Sequence, residues 1–495
     1  IQRTQGSISS LYDYDPMGRL KSQRTVWNGT QTLHGKQNPL AGGVVNRRYA
    51  YDKAGNLIQS ADQRSGVLNY VYDKIGRIQE ARNSQTGRSE TFAFDPAHNI
   101  LSDKAAEGKG KGSNISSGNR LKEYNGIEYT YDALGNLIYR QLPDGENQYY
   151  QYDLENQLVR AEIKKAAGNT EIWTYAYDPF GRRLSKERQD KLAWTSTDPK
   201  RTHFVWDGSR LLQEYTYKGS YTYIYTNQDS YEPLAQIFDN AKDSKQYLVY
   251  FHNDQIGIPR EMTDIHGNLL WYGEYTAWGR LKKDERVYKD AHQPFRLQNQ
   301  YFDEETGLHY NLMRYYEPEA GRFVNQDPIG LLGGENLYQF APNTQEWIDP
   351  LGESGYRLRK SMESQGMFRP ASSWQTHHLI PQAVWKENKA FFNSIGMKGK
   401  GLGRDSWTNG LYMPSTEADA RSSLREFFHR GSHEKYSNEV RDVLKDIQEE
   451  FRRGEITATQ ARKRVQDLQK SLKKRLSKSI SVGGCASANS PKRLN

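Results

Sequence analysis

The chain has 495 residues, so it is too long for one ordinary domain and predicts two or three compact units. The 34 tyrosines and 42 glycines, against a hydrophobic fraction of 35%, favour strands and turns, while a single cysteine excludes a disulfide framework and no apolar run is long enough for a membrane-spanning helix. The net charge of +9 is concentrated in residues 351–495, where 27 Lys and Arg face 15 Asp and Glu; this is typical of a module that binds nucleic acid or another polyanion, and equally of a soluble basic domain.

A short phrase recurs through the first 350 residues, with two aromatic residues in alternation followed by a turn that begins at Asp and ends at Gly. Alternate residues of a strand share one face, and Gly permits the tight turn, so each copy predicts a β-hairpin. One hairpin cannot bury its own aromatic face, so neighbouring hairpins must form a continuous sheet. The clearest copies are "YDYDPMGRL" (12–20), "YAYDKAGNL" (49–57), "YVYDKIGRI" (70–78), "YTYDALGNL" (129–137) and "YAYDPFGRRL" (175–184).

These repeats resemble the YD-repeat proteins of the rearrangement-hotspot (Rhs) family and the related C components of insecticidal toxin complexes. The resemblance covers nearly all of residues 10–350 and includes "YFHNDQIGIPREMTDIHGNLLWYGEYTAWGRL" (250–281). It implies a mainly β fold in which residues 1–310 form part of a hollow shell around a C-terminal toxin. Because the chain begins inside the repeats, it also implies an upstream region that completes the shell and meets type VI secretion spike proteins.

Two similar phrases, "QDPIG" and "IDPLG", mark the end of the repeat-bearing part at residues 311–353. Paired carboxylates can share a proton and so supply one acid and one base. Alternatively, each Asp-Pro only forms a turn, in which both residues are common. In the Rhs family an aspartic self-protease cuts after the second phrase. The matching positions are Asp327 and Asp349, with Arg314 as the supporting cation, and Glu353 stands where the family usually has an aliphatic residue.

The basic region at residues 354–480 contains four histidines in two pairs, His377 with His378 and His429 with His433. Neighbouring imidazoles can point in different directions, so that one ring binds a metal ion and the other acts as a general base. Asn409 lies between the two pairs. Spacing alone leaves solvated or structural histidines open as the alternative.

In order along the chain, "THHLIPQAVW", "NGLYMP" and "HRGSHEKY" are similar to AHH-type toxins of the HNH/endonuclease VII superfamily. The resemblance covers residues 370–440 and implies a small α+β domain with a ββα-metal finger. In that family's pattern His378 is the general base, Asn409 orients it, and His377 binds a divalent metal ion with His429, His433 or both. Zn²⁺, Mg²⁺ and Ni²⁺ all remain open as the metal.

Two C-terminal helices follow from the sequence. Apolar residues at helical spacing between Val440 and Phe451 predict the first, and Thr457 with Gln460 predicts a capping box at the start of the second. The second helix is densely basic, so it either follows a phosphate backbone or is a solvated charged helix. Residues 481–495 are rich in Ser, Gly and Ala and predict a disordered tail.

Together these features predict an antibacterial polymorphic toxin, a secreted effector that acts in the cytoplasm of the target cell. The C-terminal nuclease is expected to cut DNA, with RNA as the alternative substrate. A cognate immunity protein, acidic because it must cover a basic surface, is the expected partner. Two other classes stay open: a structural carrier or adhesion protein with no nuclease activity, and a protein whose only chemistry is self-cleavage.

Overall fold

The computed structural model describes residues 1–16, 18–28, 43–53, 55–102, 114–189, 200–227, 230–328, 330, 335–345, 349, 362, 367, 374–397, 402–404, 406–414, 417–428, 434–478 and 492–493. The chain divides into two compact units, residues 1–354 and 355–495. That boundary falls one residue after the one expected from the sequence. Among the described residues no helix is long and apolar enough to cross a membrane.

Unit 1 begins with a sheet in which eight strands of the described residues pair antiparallel in chain order. These strands are β1 (Gln2–Gln5), β2 (Ile8–Tyr14), β3 (Leu20–Trp27), β4 (Asn46–Tyr51), β5 (Leu57–Asp62), β6 (Gly66–Tyr72), β7 (Ile78–Asn83) and β8 (Ser89–Thr91). A short antiparallel pair, β9 (Ile115–Ser116) and β10 (Arg120–Leu121), surrounds a 3₁₀ turn at Ser117–Asn119.

The second sheet of unit 1 has fifteen strands within the described ranges, again antiparallel and in chain order. They are β11 (Glu123–Tyr124), β12 (Ile127–Tyr131), β13 (Leu137–Gln141), β14 (Asn147–Tyr152), β15 (Leu158–Lys164), β16 (Thr170–Tyr177), β17 (Arg183–Arg188), β18 (Arg201–Asp207), β19 (Arg210–Thr216), β20 (Gly219–Tyr225), β21 (Pro233–Asn240), β22 (Lys245–Asn253), β23 (Pro259–Asp264), β24 (Leu269–Tyr275) and β25 (Leu281–Arg286). The sequence prediction of hairpins stacked into a continuous sheet is confirmed.

The repeat β12–turn–β13 shows why the phrase folds as it does. The Asp132 side chain accepts a hydrogen bond from the Asn136 backbone N–H at 2.8 Å, and Gly135 closes the turn with φ +88°. A β-bulge before the last aromatic residue of the strand accompanies the turn in each of the five clearest copies, here between Thr130 and Tyr131. That last aromatic residue joins neighbouring hairpins in several repeats; Tyr177, for example, donates its hydroxyl to the Leu158 carbonyl at 2.9 Å.

A third sheet contains four strands of the residues that the structure describes, namely β26 (Tyr301–Phe302), β27 (His309–Asn311), β28 (Arg314–Glu317) and β29 (Arg322–Phe323). Buried ion pairs tie this region to the fifteen-stranded sheet. They are Arg183 with Asp303 at 2.5 Å, Lys186 with Glu305 at 2.9 Å, and Arg140 with Glu317.

The segment around and after the third sheet also binds the turns of successive repeats. Each contact runs from a side chain of this segment to a backbone carbonyl of a turn, so the segment is positioned by the repeats themselves. The hydrogen bonds are Asn343 Nδ2 to Gly76 O at 2.9 Å, Asn336 Nδ2 to Ala97 O at 3.0 Å, Tyr338 Oη to Gly135 O at 2.8 Å, and Tyr310 Oη to Gly181 O at 3.4 Å.

Unit 2 is a small α+β domain with its own apolar core. Its strands are β30 (Trp374–His378), β31 (Gly410–Pro414), β32 (Phe427–Phe428) and β33 (Lys492–Arg493), and a 3₁₀ turn spans Trp407–Asn409. Its helices are α1 (Gln382–Glu387), α2 (Lys389–Ser394), α3 (Glu417–Ser422), α4 (Glu434–Arg452) and α5 (Ala458–Leu476). The core includes Leu379, Ile380, Val384, Phe392, Val440, Leu444, Ala461, Val465 and Leu472.

The two predicted C-terminal helices are α4 and α5. The apolar stripe of α4 is buried at Val440, Leu444 and Ile447, but Val443 is 43% exposed, because the stripe is narrower than the sequence indicated. The capping box of α5 is present, with Gln460 N donating to Thr457 Oγ1 and Thr457 N donating to Gln460 Oε1.

Most of the predicted disordered tail, residues 481–491 and 494–495, lies outside the described residues. Lys492 and Arg493 differ from that prediction, because their backbone pairs in parallel with Phe427 and Phe428.

Candidate active sites

The histidine doublet lies at the end of β30. This strand pairs antiparallel with β31, so that His377 lies opposite Leu411 and His378 opposite Gly410. Adjacent residues of a strand point to opposite faces, which gives the two imidazoles different surroundings. His377 is buried, with 4% of the residue exposed, whereas His378 is partly exposed. One imidazole is thus held in the domain interior and the other is accessible.

Asn409 fixes the backbone that follows the doublet. Its carbonyl accepts the Leu379 N–H at 2.8 Å, and its side-chain Oδ1 accepts the Ile380 N–H at 2.8 Å. Its Nδ2 donates to Ile380 O at 3.1 Å and to Arg404 O at 2.9 Å. Asn409 is fully buried, so these bonds form in a low-dielectric interior where an unpaired polar group is costly. The chain direction immediately after His378 is therefore set by one asparagine.

Helix α4 contacts the doublet through its first turn. Tyr436 donates its hydroxyl to the Leu379 carbonyl, and its ring centroid lies 5.4 Å from that of His377. Burial of Tyr436 raises the pKa of its hydroxyl, so this group stays a neutral donor at physiological pH. The buried face of His377 is thereby closed by α4.

The structure describes one of the three expected metal ligands. His377 is described and buried, whereas His429 and His433 lie outside the described residues. In the part of the chain that is described, no three His, Cys, Asp or Glu side chains are grouped closely enough to hold a metal ion. The one expected ligand that is described, the buried imidazole of His377, is of a type that suits Zn²⁺ or Ni²⁺.

A second cluster of functional side chains lies in unit 1. Arg314 of β28 places Nη2 3.3 Å from Asp327 Oδ2 and 3.0 Å from Asp349 Oδ2. Both carboxylates and the guanidinium are buried, at 5%, 6% and 1% exposure. The three residues singled out around "QDPIG" and "IDPLG" therefore lie together. Both carboxylates contact the same guanidinium nitrogen of Arg314.

Neighbouring groups hold the Arg314 cluster in place. The Arg314 guanidinium lies over the Phe323 ring, 3.6 Å from its centroid, and Nη1 donates to the Leu337 carbonyl at 3.3 Å. Asn311 donates Nδ2 to the Asp349 carbonyl at 2.9 Å, which positions the second Asp-Pro phrase from its backbone. The two buried carboxylates therefore share one cation.

Sequence reasoning missed three residues that complete these sites, namely Tyr436, Asn311 and Gln469. Gln469 donates Nε2 to Asn409 Oδ1 at 3.1 Å from helix α5. A signal for it exists, because it is the one polar residue among the buried positions of that helix, Ala461, Val465, Gln469, Leu472 and Leu476. Tyr436 lies in the segment "HRGSHEKY", of which the sequence analysis singled out only the two histidines, and Asn311 carries no comparable sequence signal.

Comparison with known proteins matches two parts of the chain. Residues 358–472 match AHH, a nuclease family of the HNH/ENDO VII superfamily with conserved AHH, and residues 248–285 match the RHS protein family. Double-stranded DNA deaminase toxin A of Burkholderia cenocepacia (strain H111) is 34% identical over 409 residues, which cover 79% of this chain and 28% of that protein. Probable deoxyribonuclease RhsB of Dickeya dadantii (strain 3937) is 30% identical over 366 residues, which cover 71% of this chain and 23% of that protein.

The chain thus spans 28% and 23% of the length of these two relatives. Among solved structures, the crystal structure of TcdB2-TccC3 aligns with 70% of this chain and 19% of its own, at 17% sequence identity and a TM-score of 0.46.

Proposed function

We propose that this chain, which combines an RHS segment with a C-terminal domain of the AHH nuclease family, acts as a polymorphic toxin whose unit 2 hydrolyses DNA. The observation that carries the proposal is the placement of His378. It ends β30 on the accessible side of the strand, while Asn409 binds the two residues after it.

In this proposal His378 acts as the general base. A neutral imidazole accepts a proton from the attacking water, and Asn409 keeps the ring in place by holding the Leu379–Ile380 backbone. His377 would hold a divalent metal ion together with His429, His433 or both. When bound, such an ion stabilises negative charge on the oxygen that leaves the phosphodiester.

DNA is the preferred substrate. One relative of this chain is named a probable deoxyribonuclease, and residues 351–495 carry a net charge of +12, which suits a phosphate backbone. RNA hydrolysis by the same site is the alternative. The other named relative is a DNA deaminase, so likeness in the repeats does not by itself decide the activity of the C-terminal unit.

The nuclease proposal is tested by incubating the purified chain and, separately, residues 355–495 with supercoiled plasmid or tRNA, with and without EDTA. We expect nicking that EDTA removes and that His378→Ala lowers by about 10²- to 10⁴-fold. His266→Ala, at an exposed histidine of unit 1, is the control and keeps full activity. Intact plasmid with cleaved tRNA would establish the RNase instead. If neither substrate is cut, the protein is a carrier or adhesion protein, or its chemistry is confined to self-cleavage.

We further propose that the Arg314 cluster cleaves the chain between Glu353 and Ser354. One carboxylate of the Asp327–Asp349 pair takes a proton from water, and the resulting hydroxide attacks the Glu353 carbonyl carbon. The other carboxyl group gives its proton to the Ser354 nitrogen as the C–N bond breaks. Support comes from the shared contact of both carboxylates with Arg314.

Self-cleavage is measured by intact-mass spectrometry of the purified chain. The expected products end at Glu353 and begin at Ser354, and either Asp327→Asn or Asp349→Asn leaves the chain whole. Asp207→Asn, at a carboxylate that is 54% exposed, is the matched control. An uncleaved wild-type chain, or fragments from both cluster variants, would refute the protease.

The biological setting follows from these two activities as part of the same proposal. Self-cleavage frees the nuclease from the repeats, and a type VI secretion system delivers the effector to the cytoplasm of a competitor. The producing cell then needs an immunity protein, whose acidic surface would cover the basic unit 2. Co-purification of unit 2 with the product of a neighbouring gene, and loss of nicking in that complex, would test the immunity partner.

A further inference from the structure

Helix α5 carries one polar side chain on its buried face. Gln469 is 2% exposed and lies in the stripe formed by Ala461, Val465, Leu472 and Leu476. Every other buried position of this helix is apolar, so the amide sits where an aliphatic residue would pack without desolvating a polar group. Packing of the apolar core therefore does not explain why this position is a glutamine.

The Gln469 amide reaches the asparagine that follows the histidine doublet. Its Nε2 donates to Asn409 Oδ1 at 3.1 Å, beside the Ile380 N–H that donates to the same oxygen at 2.8 Å. The Nδ2 of Asn409 donates to two carbonyls, those of Ile380 and Arg404. All four hydrogen-bonding positions of the Asn409 amide are thus filled, and the Gln469 donor opposes a flipped amide, which would turn Nδ2 toward two other donors.

In the part of the chain that the structure describes, the other end of the Gln469 side chain has no such partner. Within the described residues its Oε1 is buried without a hydrogen bond. A buried carbonyl left without a donor destabilises the fold, and native proteins retain few of them. An apolar residue of the same length would remove this cost, so the presence of glutamine here calls for a role other than stability.

We propose that Gln469 is a positioning residue of the nuclease site. Through Asn409 it fixes the Leu379–Ile380 backbone, and with it the direction from which His378 meets the substrate. The inference rests on the proposed nuclease function and assigns the basic helix α5 a part in the site in addition to any contact with phosphate. Groups that act from behind a catalytic residue in this way commonly change activity by about 10- to 100-fold.

The test uses the full chain and three variants. Gln469→Leu keeps the volume of the side chain but removes its donor and its unpartnered carbonyl. Gln469→Glu replaces the donor with an acceptor that faces Asn409 Oδ1. Gln466→Leu, one turn earlier on α5 and outside the buried stripe, is the matched control.

Three quantities are measured for each variant: kcat and KM for plasmid nicking, the thermal midpoint of unfolding, and hydrogen exchange of the Ile380 amide. For Gln469→Leu we expect kcat to fall by about tenfold or more at unchanged KM, while the thermal midpoint is unchanged or raised and Ile380 exchanges faster. Gln469→Glu is expected to lose more activity than Gln469→Leu. Gln466→Leu is expected to match the wild type in all three.

Several outcomes overturn the inference. If Gln469→Leu keeps the wild-type kcat and the wild-type exchange of Ile380, Gln469 does not position the site. If kcat falls only in proportion to a lower thermal midpoint, its role is structural. Failure of the wild type to cut any nucleic acid would instead refute the proposed nuclease, and hydrogen exchange of Ile380 would still decide whether Gln469 orders this backbone.

Discussion

Asn409 and Ile380 are joined by two hydrogen bonds in opposite directions. The Ile380 N–H donates to Asn409 Oδ1 at 2.8 Å, and Asn409 Nδ2 donates to the Ile380 carbonyl at 3.1 Å. A side-chain amide that pairs with a backbone amide in this way imitates one rung of a β-sheet. It extends the β30–β31 pairing beyond His378, where the chain turns toward α1.

Asn409→Ala is expected to weaken unit 2. The substitution leaves the buried Ile380 N–H and carbonyl without their partner, and each unsatisfied group costs about 1–3 kcal/mol. Urea unfolding followed by circular dichroism of residues 355–495 measures the loss. Asn438→Ala, at an exposed asparagine of α4, should cost less than about 0.5 kcal/mol. Equal stability of the two variants would contradict the pairing described here.

Arg314→Met is expected to destabilise unit 1 and to stop self-cleavage together. It leaves Asp327 and Asp349 buried without their shared cation, and breaking a buried ion pair from one side costs about 3–5 kcal/mol. Calorimetry and the mass of the purified chain report the two effects. Arg280→Met removes a cation that pairs with Glu319 but is 43% exposed, so little change is expected there. A stable, cleaving Arg314→Met chain would show that the guanidinium is not required.

Alanine substitutions at two glycines distinguish the free-energy cost of backbone strain from the cost of a lost contact with Tyr338. Gly135 and Gly168 have φ values of +88° and +92°, so alanine is strained similarly at both. At Gly168 a Cβ would meet no described atom within 4 Å, whereas at Gly135 it would overlap Gln326 Nε2 and lie 2.5 Å from Tyr338 Oη. Gly135→Ala should therefore lower the free energy of unfolding by about 1–3 kcal/mol more than Gly168→Ala. Equal losses would mean that the Tyr338 contact adjusts freely.

Acid should destabilise unit 1 through His252. Burial, with Arg47 and Arg3 nearby, lowers the pKa of its imidazole from 6.5 to about 3. Below pH 6.5 the unfolded chain binds a proton that the folded chain excludes, so stability falls by up to about 1.4 kcal/mol per pH unit between pH 6.5 and 3. His252→Gln should flatten the thermal midpoint over this range, whereas His266→Gln at an exposed site should follow the wild type. Parallel pH profiles for His252→Gln and the wild type would contradict this assignment.

Features whose partners are close in the chain were predictable from the sequence. The turn after Tyr131 and the Thr457 capping box depend on residues three or four positions apart, and both form as predicted. Contacts between residues far apart in the chain were not predictable, because a single sequence does not show which distant segments pack together. Tyr338 meets Gly135 across 203 residues, and Gln469 meets Asn409 across 60.

The two candidate sites differ in the same respect. Arg314, Asp327 and Asp349 lie within 35 residues of each other, and the resemblance of their phrases to the Rhs family already named all three. In unit 2 the doublet and Asn409 were likewise named, but the sequence analysis gave no role to Tyr436 or Gln469, which helices α4 and α5 contribute. The metal ligands His429 and His433 stay a prediction.

The hydrogen bonds from the end of unit 1 to the repeat turns have a consequence for how such arrays change in length. Within the sheet, each hairpin needs only its neighbours, so an extra hairpin is accommodated by the strand pairing alone. Between Gly76 and Gly181, however, Asn343, Asn336, Tyr338 and Tyr310 each meet one particular turn. A duplicated or deleted hairpin there would present the wrong turn to these side chains and displace Arg314 and its carboxylates, so the number of repeats in this interval is fixed by the segment that docks on them.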